Sequence, residues 1–339
     1  MVARFVRSYE ERREPAPTRI RELDAVRGFA VCGITIVNTW QHTSDAVHRH
    51  TTTPTDWLAE NLLQSRFFPI FSFLFGIGFV LFLRSAARRT AHPRLVLLRR
   101  LAALAALGLL HRLLSPGEVL VPYALTGALV LLPASYLRRW AVLAAGIAAS
   151  LWAVLFHAGG VWLIPGLFLL GMAVIEYAPG TRALRAAFLV SAPLAVALTG
   201  AWTYLWAHQE TFRFPFTVSV YPLAGLAAAT AYCTGLLLVL DRAPRLMAVL
   251  EPLGRIALTA YVTGTLVTLA ALPLLVRDGS RAGVLAVALA AIVALAAFAR
   301  WWTARYRYGP LEWAWRCVTW WEPVPNRRPR ASAAGGPGL

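Results

Sequence analysis

Two stretches near the start of the chain decide the fold: RELDAVRGFAVCGITIVNTWQHT at residues 21–43, and QSRFFPIFSFLFGIGF at residues 64–79. The first is an apolar helix pattern that carries Asp24, Arg27 and Asn38, and the second is rich in Phe and Gly, which predicts tight helix packing. Ionisable groups at membrane depth are expensive, so a chain that keeps them there uses them. We therefore expect this pair of segments to contribute to a functional site, with the rest of the chain as its scaffold.

The composition identifies the class of protein. Of 339 residues, 58% are hydrophobic and only 14% are charged, which indicates an integral membrane protein in a lipid bilayer. The net charge of +17 comes from arginines in the short connectors between apolar segments, where charge sets topology, so we exclude nucleic-acid binding. Cys32, Cys233 and Cys317 fall in two apolar segments and the C-terminal region, which gives no disulfide framework.

Apolar runs of membrane-spanning length predict an all-α, polytopic membrane bundle of about ten helices. Connectors that would lie on one side of the membrane hold most of the arginines, which places both termini in the cytoplasm by the positive-inside rule. The predicted spans are 23–41, 66–84, 95–114, 119–136, 140–157, 160–176, 184–206, 220–240, 255–276 and 282–302. No inverted repeat and no matching pair of interrupted spans is visible.

The chain divides into four predicted parts. Residues 1–22 form an Arg-rich cytoplasmic N-terminus, and residues 23–304 form the transmembrane bundle. In 305–322, Trp and Arg alternate as in an amphipathic helix on the inner leaflet, with Glu312 placed to pair with Arg316 at i,i+4. Residues 323–339 have the composition of a disordered tail.

The first span predicts a polar stripe. On an ideal helix, Arg27 and Asn38 lie within about 20° of one face and about 16 Å apart along the axis. Arg27 could hold an anionic phosphate and Asn38 could polarise a reacting group. Alternatively, Asp24 neutralises Arg27 at i,i+3 and Asn38 makes an interhelical hydrogen bond.

Histidines collect on the predicted outer side, which would place acid/base chemistry there. His48 and His50, in the loop after the first span, could bind a metal, act as a general base, or be solvated; we favour no metal site. His111 and Glu118 lie at facing ends of two spans joined by a tight turn, with Tyr123 one turn further on. They form a base and an orienting carboxylate, or they face headgroup water. Arg255, at an inner boundary, could reach a phosphate or serve as a topology anchor.

Five blocks, in order along the chain, resemble the YeiB-like family of bacterial membrane proteins, a domain of unknown function. The resemblance implies a bacterial cytoplasmic membrane protein and supplies no reaction. The blocks are LDAVRGFA from Leu23 with Asn38; FSFLFGIG from Phe71; GLLH from Gly108 with PGEVL from Pro116 and YAL from Tyr123; GRIALT from Gly254; and GPLEW from Gly309.

The first block is also similar to transmembrane acyltransferases of the heparan-α-glucosaminide N-acetyltransferase and acyltransferase-3 type. That resemblance implies transfer of an acyl group from cytoplasmic acyl-CoA to a hydroxyl or amine acceptor, with Asn38 matching the family's Asn and His48 or His50 matching its His by spacing. Two residues depart from the YeiB-like pattern: Glu118 stands where Asp is usual, and Gly264-Thr265 stand near the usual Gln.

These observations give three hypotheses. The first is an acyltransferase in which Arg27 or Arg255 holds the phosphates of acyl-CoA, and His111, His48 or His50 activates a small-molecule, lipid or glycan acceptor, with Asn38 polarising the carbonyl. The second is a transporter or exporter of a small metabolite or lipid, without covalent chemistry. The third is a structural partner in a membrane complex. The sequence leaves the oligomeric state open.

Overall fold

The computed structural model describes residues 20–46, 53–208 and 217–328. Across these ranges the chain is helical, and the only extended pairing there is one antiparallel bridge between Tyr306 and Arg327. The helices are α1 (Arg21–Ala46), α2 (Pro54–Leu58), α3 (Phe67–Ala87), α4 (Pro93–Arg112), α5 (Leu120–Thr126), α6 (Leu132–Ala134), α7 (Arg139–His157), α8 (Leu163–Tyr177), α9 (Thr181–Ala207), α10 (Thr217–Leu240), α11 (Pro244–Arg255), α12 (Ala257–Leu275), α13 (Ala282–Arg305) and α14 (Pro310–Trp320).

Within the described ranges, seven helical segments are long and apolar enough to cross a membrane. They coincide with the predicted spans from 66–84 and from 140–157 through 282–302, which confirms a helical membrane bundle. The predicted spans 23–41, 95–114 and 119–136 are also helical, as α1, α4 and the α5–α6 segment. These three fall outside the seven because α1 and α4 carry charged residues and the α5–α6 segment is short.

Helix α3 lies at the centre of the bundle, where it packs on α1, α4, α8 and α10. Gly76 lies directly against the backbone of α8 at Phe168, and Gly171 of α8 lies against α3 at Phe73. These glycines let the two helices approach closely, as the Phe- and Gly-rich sequence predicts. Gly78 differs from that prediction, because no atom lies within 4 Å of where its Cβ would be.

Helix α11 is an element that the sequence did not predict. It packs along α1, where Gly254 lies against the backbone of Asp24 and Gly28 lies against that of Leu250. The predicted span 255–276 therefore begins late, as α12, after a break at Ile256. The run-length criterion missed α11 because its 12 residues are amphipathic and too short to span a bilayer.

The segment before α3 is an interrupted helix. Helix α2 continues as a π-helical turn, Ala59–Leu63, and the chain then breaks before α3, with Ser65 in the left-handed region at φ 60°. No Gly or Pro stands within residues 59–66, so the sequence does not predict this interruption. Left-handed backbone at a residue other than Gly is strained and persists only where the surrounding structure holds it.

The C-terminal region folds back on the bundle. Helix α14 lies within the predicted interval 305–322, and the indole nitrogen of Trp315 donates to the carbonyl oxygen of Arg100 at 2.8 Å. Its location at a membrane interface stays a prediction. In the described part of the predicted tail, Arg307 N donates to Asn326 O at 2.8 Å and Arg328 N donates to Arg305 O at 3.0 Å. The disorder of residues 323–339 stays a prediction.

Candidate functional site

A cavity of about 270 Å³ lies between α1, α3, α4, α5, α12 and α14. One end is basic and aromatic, the middle is apolar, and the far end carries two tyrosines. We call these parts the mouth, the shaft and the shaft end. The mouth is lined by Arg27, Arg100, Arg255, Tyr308, Glu312, Trp315 and Arg316; the shaft by residues that include Val31, Ile34, Phe71, Phe75, Leu101 and Leu104; and the shaft end by Phe68, Val119, Leu120, Tyr123 and Tyr261.

Two of the four mouth arginines, Arg27 and Arg255, are those that the sequence analysis proposes as phosphate ligands. Arg27 forms an ion pair with Asp24 at 2.7 Å, so the i,i+3 neutralisation and the lining of the cavity occur together. Arg255 donates through Nη2 to the carbonyl oxygen of Arg307 at 3.1 Å and lines the mouth beside it. Asp24 pairs with Arg27 and Glu312 lines the mouth, so two carboxylates stand against four arginines there.

The other two mouth arginines come from distant parts of the chain. The guanidinium carbon of Arg100 lies 3.7 Å from the ring centroid of Trp315, and no carboxylate in the described part of the chain lies within ion-pair distance of it. Arg316 lies 4.5 Å from the ring centroid of Tyr308. Arg316 and Arg27 are each close enough to Arg100 for their charges to repel its charge. An anion at the mouth would relieve this repulsion.

Glu312 does not form the predicted i,i+4 ion pair with Arg316. Its carboxylate accepts hydrogen bonds from Leu258 N at 2.7 Å, Thr259 N at 3.1 Å and Thr259 Oγ1 at 2.7 Å. These donors belong to the first turn of α12, whose N–H groups have no partner within the helix. Glu312 therefore caps α12 and joins it to α14. The i,i+4 spacing on one helix could not reveal this partner on another.

At the shaft end, Tyr123 is fixed by hydrogen bonds. Its hydroxyl lies 2.7 Å from Ser72 Oγ and donates to the carbonyl oxygen of Phe68 at 3.3 Å. Phe75 and Phe168 pack against its ring at centroid distances of 5.5 and 5.1 Å. Tyr123 thus faces the cavity from a rigid position, which suits a residue that orients a ligand.

His111 lies behind Tyr261, next to the shaft end. It is 3% exposed, its ring centroid is 4.9 Å from that of Tyr261, and its Nε2 lies 3.1 Å from Thr265 Oγ1. Its Nδ1 is buried without a hydrogen-bond partner among the described residues. The imidazole of His42, on α1, is close enough to His111 for their charges to interact.

Glu118 is not hydrogen-bonded to His111. Its carboxylate accepts from the backbone N–H of Leu120 and from that of Val121, the latter at 3.1 Å, and so caps the N-terminus of α5. Burial raises the pKa of Glu118, and these backbone donors oppose the shift. Its charge also acts on Tyr261. The tight turn thus places Glu118 near the shaft end, where its carboxylate caps α5 and does not contact His111.

Asn38 lies on the same face of α1 as the cavity lining. Arg27, Val31 and Ile34 line the cavity at helical spacing, and Asn38 and His42 continue that spacing toward His111. Asn38 is half-buried, does not line the cavity, and has no hydrogen-bond partner in the described ranges. His48 and His50 lie outside the described residues. Among described residues, no group of three or more His, Cys, Asp or Glu side chains could hold a metal ion.

The sequence missed Arg100, Tyr261 and Trp315 as lining residues. Arg100 lies within the predicted span 95–114 and Trp315 within the predicted amphipathic helix, so the sequence assigns neither to a site. Tyr261 follows the GRIALT block by two residues and stands in none of the quoted motifs. A basic residue directly followed by an apolar span, as Arg100 is, was the available signal.

The helices and the cavity define a multi-pass, helical membrane protein with a basic, amphipathic pocket. The chain belongs to the family described as Protein of unknown function (DUF418), whose sequence pattern matches residues 173–322. It is 31% identical over 338 residues to the "Uncharacterized 39.9 kDa protein in amylase 3'region" of Bacillus acidopullulyticus, an alignment that covers 89% of this chain and 94% of that relative. No solved structure matches the chain.

Proposed function

We propose that this protein is a membrane acyltransferase that takes its acyl group from acyl-CoA. The observation that carries the proposal is the cavity, in which four arginines at the mouth lead into an apolar shaft that ends at Tyr123 and Tyr261. A ligand that matches a basic mouth followed by an apolar shaft has an anionic, phosphate-bearing head and an apolar chain. Acyl-CoA has both, and guanidinium groups are the side chains best suited to phosphate.

The direction of entry follows from charge. The mouth arginines lie near the predicted cytoplasmic ends of their helices, because Arg-rich connectors favour that side. The donor would therefore enter from the cytoplasm, and its thioester would lie along the shaft. The acceptor would approach from the other side, where Asn38, His42 and His111 continue the stripe of α1.

In this proposal His111 is the general base. The acceptor O–H or N–H would give its proton to the imidazole while the acceptor oxygen or nitrogen attacks the thioester carbonyl carbon. The new C–O or C–N bond would form as the C–S bond breaks, and the CoA thiolate would take up the proton that His111 releases. Asn38 or the Tyr261 hydroxyl would stabilise the oxyanion by hydrogen bonding. Tyr261 is the residue between His111 and the shaft.

The test uses the purified full-length protein with a long-chain acyl-CoA. Binding is measured directly, and release of the CoA thiol is measured with amine and hydroxyl acceptors. Arg100→Gln should weaken acyl-CoA binding at least about tenfold, since a charge-assisted hydrogen bond contributes about 1.5–3 kcal/mol. Arg84→Gln, which changes a half-exposed arginine paired with Glu176, is the matched control. His111→Gln should abolish CoA release and leave binding unchanged.

Two results would overturn the proposal: no saturable acyl-CoA binding, or equal affinity in the Arg100 and Arg84 variants. Binding without CoA release for any acceptor class would reject the enzyme and leave a binding protein.

A second candidate, a transporter or exporter of a small metabolite or lipid, is favoured by one observation. The helix formed by α2 and α3 is interrupted at Gln64–Arg66, and interrupted helices supply ligand sites in many transporters. Flux across proteoliposomes without consumption of acyl-CoA would support it over the enzyme.

A further inference from the structure

The interrupted helix carries a buried cation that the cavity does not use. Arg66, the residue just before α3, is 0% exposed, which makes it the largest fully buried side chain in the described part of the protein. No carboxylate in that part lies within ion-pair distance of its guanidinium. An arginine cannot avoid the cost of burying its charge by losing a proton, because the pKa of a guanidinium group is too high.

The hydrogen bonds of Arg66 use only one of its terminal nitrogens. Nη1 donates to the carbonyl oxygen of Gln64 at 2.5 Å and to that of Glu60 at 3.3 Å. These carbonyls belong to the end of the α2 segment, and that of Glu60 also accepts a hydrogen bond from the Tyr221 hydroxyl at 3.2 Å. Glu60 thus contacts Arg66 through its backbone carbonyl oxygen, and the Glu60 carboxylate lies further away.

The remaining edge of the guanidinium is unpartnered. Both Nε and Nη2 are buried and have no hydrogen-bond partner among described residues. In a planar guanidinium, Nε–H and one terminal N–H point the same way and form a fork that matches the two oxygens of a carboxylate. The orphan donors of Arg66 are therefore a complete bidentate edge.

Arg281 shows how the same chain treats a buried arginine that has a structural role. Its side chain is 6% exposed, and its Nε lies 2.7 Å from Asp56 Oδ1, an ion-pair contact that lacks hydrogen-bond geometry. Its Nη2 donates to Ser44 Oγ at 2.7 Å and to Trp40 O at 3.1 Å. Arg281 is thus paired with a carboxylate of its own chain, whereas Arg66 has no ion-pair partner among the described residues.

The surroundings of Arg66 point to a single small anion. Its guanidinium carbon lies 5.1 Å from the ring centroid of Tyr221, and the Tyr232 hydroxyl donates to Leu62 O nearby at 3.0 Å. Tyr221 acts on Arg66 both through its charge and through a side-chain hydrogen bond, Tyr232 and Glu60 act through charge, and no second described cation does; Nε and Nη2 stay without partners among the described residues. One guanidinium edge balances one negative charge, as in a carboxylate. The N-terminus of α3, which follows directly, adds the partial positive charge of its free N–H groups.

We propose that the break between α2 and α3 is a carboxylate-binding site, in which the Nε/Nη2 edge of Arg66 holds both oxygens of the ligand. The buried acceptors Asn61 Oδ1 and Gln64 Oε1, which lack partners in the described ranges, are then available to hydroxyl or ammonium groups beside that carboxylate. The ligand class is a small carboxylic acid, free or carried on a lipid headgroup. This site is separate from the cavity, so it does not depend on the acyltransferase proposal.

The experiment uses the full-length protein in detergent and sodium formate as the probe. Thermal unfolding is followed by Trp fluorescence at constant ionic strength, with chloride replaced stepwise by formate. Formate should raise the melting temperature saturably in the wild type, because a ligand that binds only the folded state stabilises it. Arg66→Lys keeps the charge but loses the fork, and should need about tenfold more formate.

Arg281→Lys is the matched control, since it changes an equally buried arginine that is already paired. It should lower the melting temperature and keep the wild-type response to formate. The proposal is overturned when formate does no more than chloride in the wild type, or when Arg66→Lys and Arg281→Lys respond alike.

A second measurement covers the case in which Arg66→Lys does not fold. Equilibrium dialysis of radiolabelled formate against the wild-type protein should give saturable binding at one site per chain, and its absence would refute the site. A short-chain phosphatidylserine that competes with formate, where phosphatidylglycerol does not, assigns the carboxylate to a lipid headgroup. Competition by neither lipid assigns it to a free acid.

Discussion

The ion pair between Asp56 and Arg281 should contribute more to the stability of the bundle than its position near the helix ends suggests. The two side chains are 14% and 6% exposed and lie 2.7 Å apart. Asp56 also accepts from Trp40 Nε1 at 2.8 Å and from Thr53 N at 3.0 Å, so one carboxylate joins α1, α2 and the start of α13. Removal of its charge leaves the Arg281 guanidinium buried and unpaired.

We expect Asp56→Asn to lower the unfolding free energy by about 3–5 kcal/mol, the range for a buried pair that loses one partner. Asn keeps the shape, but its amide nitrogen replaces one of the two acceptor oxygens, so the change removes the charge together with the acceptor for Trp40 or for Thr53. In the double variant Asp56→Asn/Arg281→Met, no charge stays unpaired, and the loss should be smaller than the sum of the single losses by about 0.5–3 kcal/mol.

The assay is unfolding of the purified protein by SDS titration, followed by Trp fluorescence and by helical circular dichroism. Glu176→Gln is the control, because it breaks the ion pair between Arg84 and Glu176, two side chains that are 40% and 41% exposed. That change should alter stability by no more than about 1 kcal/mol. The reasoning is wrong if Asp56→Asn lowers the unfolding free energy no more than Glu176→Gln does. It is also wrong if the loss in the double variant equals the sum of the losses in Asp56→Asn and Arg281→Met.

Three further predictions follow from the packing. Gly254→Ala should destabilise by at least about 1–3 kcal/mol, because its Cβ would meet the backbone of α1 at Asp24, whereas Gly200→Ala, with no atom within 4 Å, should be neutral or stabilising in the same SDS titration. Burial raises the pKa of Glu312 above its ordinary 4.5, so the folded state keeps a proton that the unfolded state releases. The melting temperature should therefore rise as the pH falls through that raised pKa, and Glu312→Gln should remove this part of the pH dependence. Tyr123→Phe should cost only about 0.5–1.5 kcal/mol, measured by urea or SDS unfolding, because Ser72 keeps its hydrogen bond to the carbonyl oxygen of Phe68 at 3.0 Å.

Apolar run length predicted most of the fold, because a span in a bilayer must be a helix whose backbone groups are satisfied internally. The same criterion missed α11, whose apolar residues are confined to one face, and the break before α3, which no Gly or Pro marks. A left-handed Ser65 is held by tertiary contacts that a single segment does not encode. Apolar run length therefore predicts the spans but not the interruptions and short helices between them.

For the site, helical periodicity correctly put Arg27 on a face of α1 that continues toward Asn38, since that geometry is local. The meeting of Arg27 with Arg100 and Arg316 is not local, because α4 and α14 must first pack on α1. Short-range spacing also misassigned Glu312, whose partners lie on another helix. The roles of Asn38, His111, Glu118 and Arg255 stay predictions.

Glu312 connects the two ends of the cavity. It lines the mouth, and the same carboxylate caps the first turn of α12, the helix that carries Tyr261 to the shaft end and Thr265 to His111. Trp315 of α14 ties that helix to the carbonyl oxygen of Arg100 on the opposite wall. A displacement of α14 would therefore remove lining from the mouth and, at the same time, the cap from α12. Because backbone N–H groups left without partners at a buried helix end are costly, α12 would have to adjust with it. The position of Tyr261 beside His111 thus depends on whether α14 is seated over the mouth.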